Sequence, residues 1–460
     1  MRKLTLLLII TANCAVLAQT TNPIITSWLR NTTGITGRHY LTTTSLPATP
    51  INDPTLFANV QAVNYNTTDE YVYVSTDGIP AYVSGPFAQN PSLLATERNA
   101  VFRFPLTPRP ALNPTNTTVG NIGVFINGVA LFDYGDAFSW KASTSGDVMM
   151  GGDRIWNRDA VVAERTGFDC SKAHPAGGNY HHHQNPSAFN LDLVVINNIC
   201  NNYASDGLYV INPAVHSPLI GFAYDGYPIY GPYAYTNTNG TGEITRMKSS
   251  YTLRTDLTVG STRPNGPVVA AGAPAGNPPN RGLGYYREDY VYVDHPGDPT
   301  YLNSFNGRVC NTPEYPASLY PEGIFCYYAT VDANHNSAYP YVVGPKFYGD
   351  KVASNVGTVP DGTILYNPAL NTNNFTISKL DFKVFPNPTA DLITIQSVSL
   401  LTNDLKLEMI DELGKIVLTK TFYQGSSSCY IETDTIYNGI YFIKISDIES
   451  SKTFKVIINK

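Results

Sequence analysis

The sequence has little of what proteins that bind nucleic acids or nucleotides need. Lys and Arg number 30 against 36 Asp and Glu, so the formal net charge is -6, and only 14% of the residues are charged. Nucleic-acid surfaces depend on basic patches, so this balance argues against such a partner. Neither a GxSxG nucleophile motif nor a GxxxxGK[ST] phosphate loop occurs in the body of the chain. Serine hydrolase and P-loop functions are therefore without support, and no nucleotide or organic cofactor is indicated.

Glycine, proline and tyrosine are abundant instead, at 36, 33 and 32 residues. A chain interrupted this often by Gly and Pro does not sustain many long helices. We therefore predict a mainly β fold, with a large β-rich body of short strands and long ordered loops and a small β-sandwich at the C-terminus. The tyrosines either pack the strands or form a stacking surface for sugars.

Long apolar runs are scarce, and the one at the start, MRKLTLLLIITANCAVLAQ, follows two cations and ends in small residues near Val16 and Ala18. This pattern predicts a signal peptide over residues 1–18. The run is shorter than the roughly 20 apolar residues that a spanning helix requires, so no transmembrane segment is expected in the mature protein. Cys14 leaves a lipoprotein as the lesser alternative.

Four of the six cysteines lie in the body, at Cys170, Cys200, Cys310 and Cys326. In an oxidising compartment this number predicts two disulfide bonds, with three possible pairings. Short loops favour Cys170 with Cys200 and Cys310 with Cys326. Metal ligation by these thiols is the alternative, but no CxxC spacing supports it.

The end of the chain carries KVFPNPTADLITIQS, LKLEMIDELGKIVLTKTF, NGIYFIKI and KTFKVIINK. Alternating residues at 392–395, 405–410, 415–419 and 440–445 predict strands. This segment, 380–460, resembles the C-terminal sorting domain of the type IX secretion system of Bacteroidetes, and 361–379 is predicted to be a linker. The resemblance implies a secreted or outer-surface protein with the type IX machinery as partner. An ordinary C-terminal β-domain with a binding role is the alternative.

The body contains, in order, YVYVSTDGIPAY, GVFINGVALFDYGDAFSW, HPAGGNYHHHQNP, LIGFAYDGYPIYGPYAY and CYYATVDANHNSAYPYVVGPKFYGD. This order resembles the YHYH-domain proteins, with the naming tetrapeptide at 180–183 and the domain predicted over 19–360. The third motif residue is His182, where the family name has Tyr. The family name describes a motif and no reaction, so the resemblance implies the domain and leaves the chemistry open.

The histidine-rich stretch predicts a metal site. On an extended segment alternate side chains share a face, which places His181 and His183 together and Tyr180 and His182 opposite. Two imidazoles so placed can both reach one ion at about 2.0–2.1 Å. His174 is the nearest third ligand, because the Pro and Gly-Gly between it and the motif can turn the chain back.

Several further residues are candidates for the same site. Asp225, in AYDGYPIYG, is predicted either to ligate the ion, to orient a histidine or to act as a base, although an Asp-Gly turn also explains it. Tyr180 is the other catalytic candidate, by redox chemistry or by donating a hydrogen bond. His295 and His335 are further possible ligands.

Imidazole and oxygen ligands suit copper, zinc or iron, and copper or zinc is the preferred ion. The leading hypothesis is a secreted metal-binding protein, with a metalloenzyme as one form of it and no activity assigned. The alternative is a metal-independent surface module that binds extracellular glycans or another small molecule. A structural or incidental role for the histidine-rich loop is the third interpretation.

Overall fold

We analysed a computed structural model of the chain. It describes residues 22–40, 50–66, 70–87, 94–186, 211–274, 280–352, 355–367, 382–397, 404–412, 414–423, 426–446 and 451–460. The predicted signal peptide, Cys14 and Cys200 lie outside these residues. In the parts of the chain so described, no helix has both the length and the apolar character that crossing a membrane requires.

The chain divides into two compact units, one of Thr20–Tyr366 and one that includes Asn367–Lys460. The first unit, here called the body, has two one-turn helices, α1 (Pro23–Thr26) and α2 (Ala160–Ala163). Its strands are β1 Thr36–His39, β2 Ile51–Phe57, β3 Val60–Tyr65, β4 Tyr71–Thr76, β5 Val83–Ser84, β6 Ala100–Pro105, β7 Asn121–Phe125, β8 Ala130–Phe132, β9 Gly135–Lys141, β10 Gly146–Met149, β11 Asn157–Asp159, β12 Ala173–Ala176, β13 Asn179–His182, β14 Leu219–Ala223, β15 Pro228–Tyr230, β16 Tyr233–Tyr235, β17 Ile244–Arg246, β18 Tyr251–Leu253, β19 Tyr290–Tyr292, β20 Gly307–Cys310, β21 Ile324–Tyr328 and β22 Ile364–Leu365.

An eight-stranded mixed sheet forms the centre of the body, in the order β12-β13-β8-β7-β14-β15-β21-β20. A second sheet, β22-β3-β4-β6, contributes Val63, Val74 and Phe104 to the same core as Val124 and Phe222 of the large sheet. The strands of the body are short because glycines and prolines interrupt them, as the composition predicts. The predicted mainly β fold is confirmed.

The hairpin β12–β13 lies at one edge of the large sheet and carries the histidine motif. Its two-residue loop is Gly177-Gly178, with φ of 56° and 83°. Positive φ at both positions is what a type I′ hairpin loop needs, and glycine adopts it without strain. At Gly178 a Cβ would lie 2.1 Å from Thr96 Oγ1, so a side chain there is excluded. The chain therefore turns back where the sequence predicted.

The second unit contains two sheets, β23-β24-β27 and β26-β25-β28-β29. Their residues share one apolar core, with Ile393 and Ile431 from one sheet and Leu407, Ile443 and Val456 from the other, as in a β-sandwich. The strands are β23 Phe382–Phe385, β24 Leu392–Ser397, β25 Leu405–Asp411, β26 Ile416–Phe422, β27 Ser428–Glu432, β28 Gly439–Ser446 and β29 Ser451–Ile458. The four strands predicted from the alternating pattern coincide with β24, β25, β26 and β28.

The predicted disulfide between Cys310 and Cys326 is wrong, because both residues are free thiols. The register of β20 and β21 explains this: Cys326 pairs with Arg308 and Cys310 pairs with Ile324. The two cysteines are thus diagonal neighbours, whose Cα atoms lie about 7–8 Å apart where a disulfide needs about 4.4–6.8 Å. The pairing of Cys170 with Cys200 stays a prediction, since Cys200 is outside the described residues.

Candidate metal site

Three histidines meet on one face of the β12–β13 hairpin. His174 of β12 pairs directly with His181 of β13, and His183 follows the end of β13. One ligand atom from each of the three lies within 4.8 Å of the others. His181 and His183 are buried, whereas the side chain of His174 is 17% exposed. The hairpin therefore brings together the three residues predicted as ligands.

The hydrogen bonds of His181 and His183 fix which ring nitrogen carries the proton. His181 Nδ1 lies 2.8 Å from the carbonyl oxygen of Asn179, and His183 Nδ1 lies 2.7 Å from that of Asp133. A carbonyl oxygen only accepts, so each Nδ1 is the donor. In the neutral imidazoles both Nε2 atoms then carry lone pairs, and these atoms face each other at 3.1 Å.

Glu164 completes the cluster, and the sequence reasoning did not include it. Its Oε2 lies 3.0 Å from His174 Nε2 and 3.1 Å from His183 Nε2. The residue follows α2, where its backbone N–H bonds to Ala160 and closes the last turn. No sequence signal marks Glu164. The ten-residue segment from Glu164 to His174 includes the end of a helix and a 3₁₀ turn, and only the fold determines the path of this segment.

Two of these converging atoms have no hydrogen bond of acceptable geometry. Glu164 Oε2 and His174 Nε2 are inaccessible to solvent and, although they lie 3.0 Å apart, they are not aligned for a hydrogen bond. Buried polar atoms are normally hydrogen-bonded, so each exception needs a physical cause. Ligand atoms bound to one ion at about 2.0–2.1 Å lie about 3.0–3.4 Å apart, which is close to the three separations given above for His181–His183, His174–Glu164 and His183–Glu164. The donor set of three imidazoles and one carboxylate fits copper, zinc or iron.

Electrostatics within the cluster act in opposite directions on its members. Burial lowers the pKa of His181 well below its usual value, and the neighbouring imidazoles lower it further. Burial also opposes the charged form of His183, but the carboxylate of Glu164 outweighs it and raises the pKa. Burial alone would raise the pKa of Glu164, yet the charge of His183 and the contact with His174 lower it below its usual value. An acidic group among imidazoles thus stays ionised.

Two phenylalanines form apolar walls around the cluster. Phe132 stacks on His181 with ring centroids 3.7 Å apart and contacts His183 edge-on. Phe168 contacts His174 edge-on at 5.0 Å. These rings restrict the imidazoles to one orientation, and the partly exposed side chains of His174 and Glu164 lie on the solvent side of the cluster.

The opposite face of β13 carries Tyr180 and His182, as alternation predicts. Tyr180 donates to Asp169 Oδ2 at 2.7 Å, and His182 Nε2 lies 2.9 Å from the hydroxyl of Tyr82. Burial lowers the pKa of His182 to about 3, so this imidazole is neutral. Neither Tyr180 nor His182 contributes to the group of three histidines.

The structure places Asp225 in a different environment from the histidines. Its Oδ2 accepts from Tyr327 at 2.6 Å and from the backbone of Gly349 at 2.9 Å, and its Oδ1 accepts from the backbone of Tyr227. These bonds hold the turn between β14 and β15. His335 contacts the hydroxyl of Tyr233, and the ring of His295 stacks on Tyr301. None of these residues joins the cluster formed by the described part of the chain.

Comparison with known proteins establishes the class of the chain. The family model described as YHYH protein matches residues 101–340, more than half of the sequence, and contains every residue of the cluster. The chain therefore belongs to the YHYH family. The model described as secretion system C-terminal sorting domain matches residues 383–459. The tail is of the type IX kind, so this YHYH protein is secreted or displayed on the outer surface, and the secretion machinery is a partner. A search of the curated proteins finds no match to the chain.

Proposed function

We propose that this secreted YHYH protein binds one transition metal ion, copper or zinc, through His174, His181, His183 and Glu164. The observation that supports this most directly is the approach of His181 Nε2 to His183 Nε2 at 3.1 Å while both Nδ1 atoms face carbonyl oxygens. Two lone pairs at that distance repel each other unless a cation lies between them. A metal ion satisfies both, together with the unsatisfied atoms of His174 and Glu164.

The competing explanation of the same contact is a proton. If His183 were an imidazolium, its Nε2 would donate to His181, because Glu164 Oε2 has no hydrogen bond of acceptable geometry. It would leave His174 Nε2 unsatisfied, because that atom has no hydrogen bond of acceptable geometry. An ion bound by all four residues accounts for more of the observed geometry than one proton does.

Elemental analysis of the untagged, full-length chain tests the proposal. After incubation with copper or zinc and desalting, the parent is expected to retain one equivalent of metal. The double variant His181→Ala, His183→Ala is expected to retain none while its circular dichroism stays that of the parent. His295→Ala is the control, because this histidine is outside the cluster. A parent without metal, or a double variant that retains it, would overturn the proposal.

A cleft of about 380 Å³ elsewhere in the body supports a second candidate function, binding of a neutral glycan. All the side chains that line it are uncharged, and they include Tyr227, Tyr320 and Tyr348. Tyr348 stacks on Phe325 at 3.8 Å, which holds its ring rigid. Rigid aromatic rings with hydroxyl groups suit sugar rings, which combine apolar faces with polar edges.

Titration with neutral oligosaccharides in the presence of a chelator tests this second candidate. Binding that survives the chelator and is lost in Tyr348→Ala is the expected result. Tyr437→Ala, at an exposed position of the C-terminal unit, is the control. Equal binding by both variants, or none by the parent, would exclude the cleft as a glycan site.

A further inference from the structure

A row of tyrosine rings leads from the neighbourhood of the histidine cluster to the surface. Tyr134 contacts Tyr339 with ring centroids 5.0 Å apart, Tyr339 contacts Tyr251 at 5.4 Å, and Tyr251 contacts Tyr292 at 5.6 Å. Tyr134 is 1% exposed and Tyr339 is 6% exposed, whereas Tyr292 is 38% exposed. We call these four residues the tyrosine row.

The inner end of the row is connected to the cluster by a short path. His183 Nδ1 donates to the carbonyl oxygen of Asp133 at 2.7 Å, and Tyr134 is the next residue along the chain. The backbone oxygen of Tyr134 in turn accepts from Ala160, at the start of the helix that Glu164 ends. One hydrogen bond and a few covalent bonds thus separate His183 from the first ring.

Two further tyrosines flank the row inside the protein. Tyr290 stacks on Tyr339 at 4.2 Å with the rings almost parallel, and Tyr341 lies 5.9 Å from both Tyr134 and Tyr339. Tyr341 donates to the buried carboxyl of Asp159 at 2.5 Å. At the surface, Tyr292 donates to Asp294 at 3.0 Å. A phenol that gives up an electron also loses its proton, so the carboxylate of Asp294 facilitates oxidation of Tyr292 at the surface end of the row.

We propose that the tyrosine row is a path for one-electron transfer between a copper ion at the histidine cluster and the surface at Tyr292. This inference rests on the proposed metal site and selects the ion, because zinc has no redox chemistry. Packing alone requires large side chains and not phenols. A continuous series of oxidisable rings that ends at an exposed tyrosine is what electron transfer requires.

With a peroxide as the oxidant, a copper(I) ion held by the cluster would supply one electron and be left as copper(II), and Tyr134 would supply the second electron together with its phenolic proton. With one further proton from solvent, these reduce hydrogen peroxide to two water molecules and leave a neutral tyrosyl radical. The radical moves outward as each ring is refilled by the next, until Tyr292 takes a hydrogen atom equivalent from an external phenol, which becomes a phenoxyl radical.

Spin trapping locates the radical. The full-length protein is loaded with copper(I) in the absence of oxygen, and its copper content is measured. One equivalent of hydrogen peroxide is then added together with a nitroso spin trap. Peptide mass spectrometry identifies the residue that carries the adduct. We expect the adduct at Tyr292 in the parent and its loss in Tyr339→Phe, which keeps the ring and removes the phenol. Tyr315→Phe, another buried tyrosine outside the row, is the matched control and is expected to keep the adduct. Zinc-loaded protein is expected to give none.

Tyr437, which is 87% exposed in the C-terminal unit, reports radicals formed in bulk solution. Labelling of Tyr437 as strong as that of Tyr292, or an adduct at Tyr292 that persists in Tyr339→Phe, would overturn the path. If Tyr339→Phe does not fold, Tyr251→Phe makes the same break nearer the surface and must also abolish the adduct at Tyr292. Bound copper without any tyrosine adduct contradicts the path alone, whereas absence of bound copper overturns the metal site as well.

Discussion

The two faces of strand β13 differ in which groups their side chains contact, although the residues alternate along one tetrapeptide. On one face, Tyr180 donates to Asp169 and His182 contacts the hydroxyl of Tyr82. On the other face, the lone pairs of His181 and His183 converge with Glu164. The same residue type thus supports structure on one side and the candidate site on the other. Burial is nearly complete on both faces, so what distinguishes them is the convergence of three imidazoles and a carboxylate on the face of His181 and His183.

The largest effect is expected on the face of Tyr180 and His182. His182→Ala removes a fully buried ring and leaves the Tyr82 hydroxyl without this contact, so the free energy of unfolding should fall by about 3 kcal/mol. Chemical denaturation of the metal-free protein measures it. The folded variant should still bind one equivalent of metal.

His295→Ala is the reference for this experiment, because His295 is partly exposed and stacks only on Tyr301 among the described rings. A loss in His182→Ala no larger than in the reference, or loss of metal from the folded variant, would show that the two faces do not divide the roles as described.

On the face proposed to bind metal, the second largest effect should come from adding the ion. Free metal at 100 times its dissociation constant stabilises a folded protein by about 2.7 kcal/mol when the unfolded chain does not bind it. The parent should therefore melt at a higher temperature with copper or zinc, as differential scanning calorimetry measures. His181→Ala, His183→Ala should show no such shift. An equal shift in the double variant would assign the binding to other residues.

Glu164→Gln should have a smaller effect, because an amide keeps the oxygen but loses the charge. We expect a metal affinity weaker by about tenfold, or roughly 1.4 kcal/mol, measured by competition with a chelator of known affinity. Glu288→Gln is the matched control, since this carboxylate binds Asn157 and lies outside the cluster. Unchanged affinity in Glu164→Gln would remove Glu164 from the ligand set.

The local part of the site was predictable from sequence, and the long-range part was not. Alternation places His181 and His183 on one face, and Gly177-Gly178 brings His174 back opposite His181, because both rules act within a few residues. Glu164 was not predicted, because the end of α2, which it follows, reaches the cluster through tertiary packing. The thiols of Cys310 and Cys326 were wrongly paired because loop length does not reveal the strand register, which sets them diagonally.

The fold class followed from composition and alternation, since frequent Gly and Pro limit helices wherever they occur. Asp225 shows the limit of motif reasoning: its sequence context suits both a turn and a catalytic base, and only the hydrogen bonds from Tyr327, Gly349 and Tyr227 distinguish them. Because its oxygens accept from hydrogen-bond donors, Asp225 resembles Asp169, which accepts from Tyr180, and not the candidate ligands.

This assignment of Asp225 predicts the smallest effect, a change in the pH dependence of stability with no change in metal content. Burial raises the pKa of Asp225 to about 6, although the hydrogen bonds from Tyr327 and Gly349 oppose this. An unfolded aspartate titrates near about 3.9. The protonated form is therefore favoured by folding, so this contribution is complete below about pH 4 and is lost as the pH rises through about 6.

Between pH 5 and 7 the parent should lose about 1 kcal/mol relative to Asp225→Asn, which has no titrating group at this position. Calorimetry of both proteins across this range measures the difference, and the other buried carboxyls cancel because both proteins contain them. Asp361→Asn, at an exposed position, should parallel the parent. Parallel pH profiles for the parent and Asp225→Asn would mean that the three donors keep Asp225 ionised throughout. Loss of bound metal in Asp225→Asn would instead return this residue to the site.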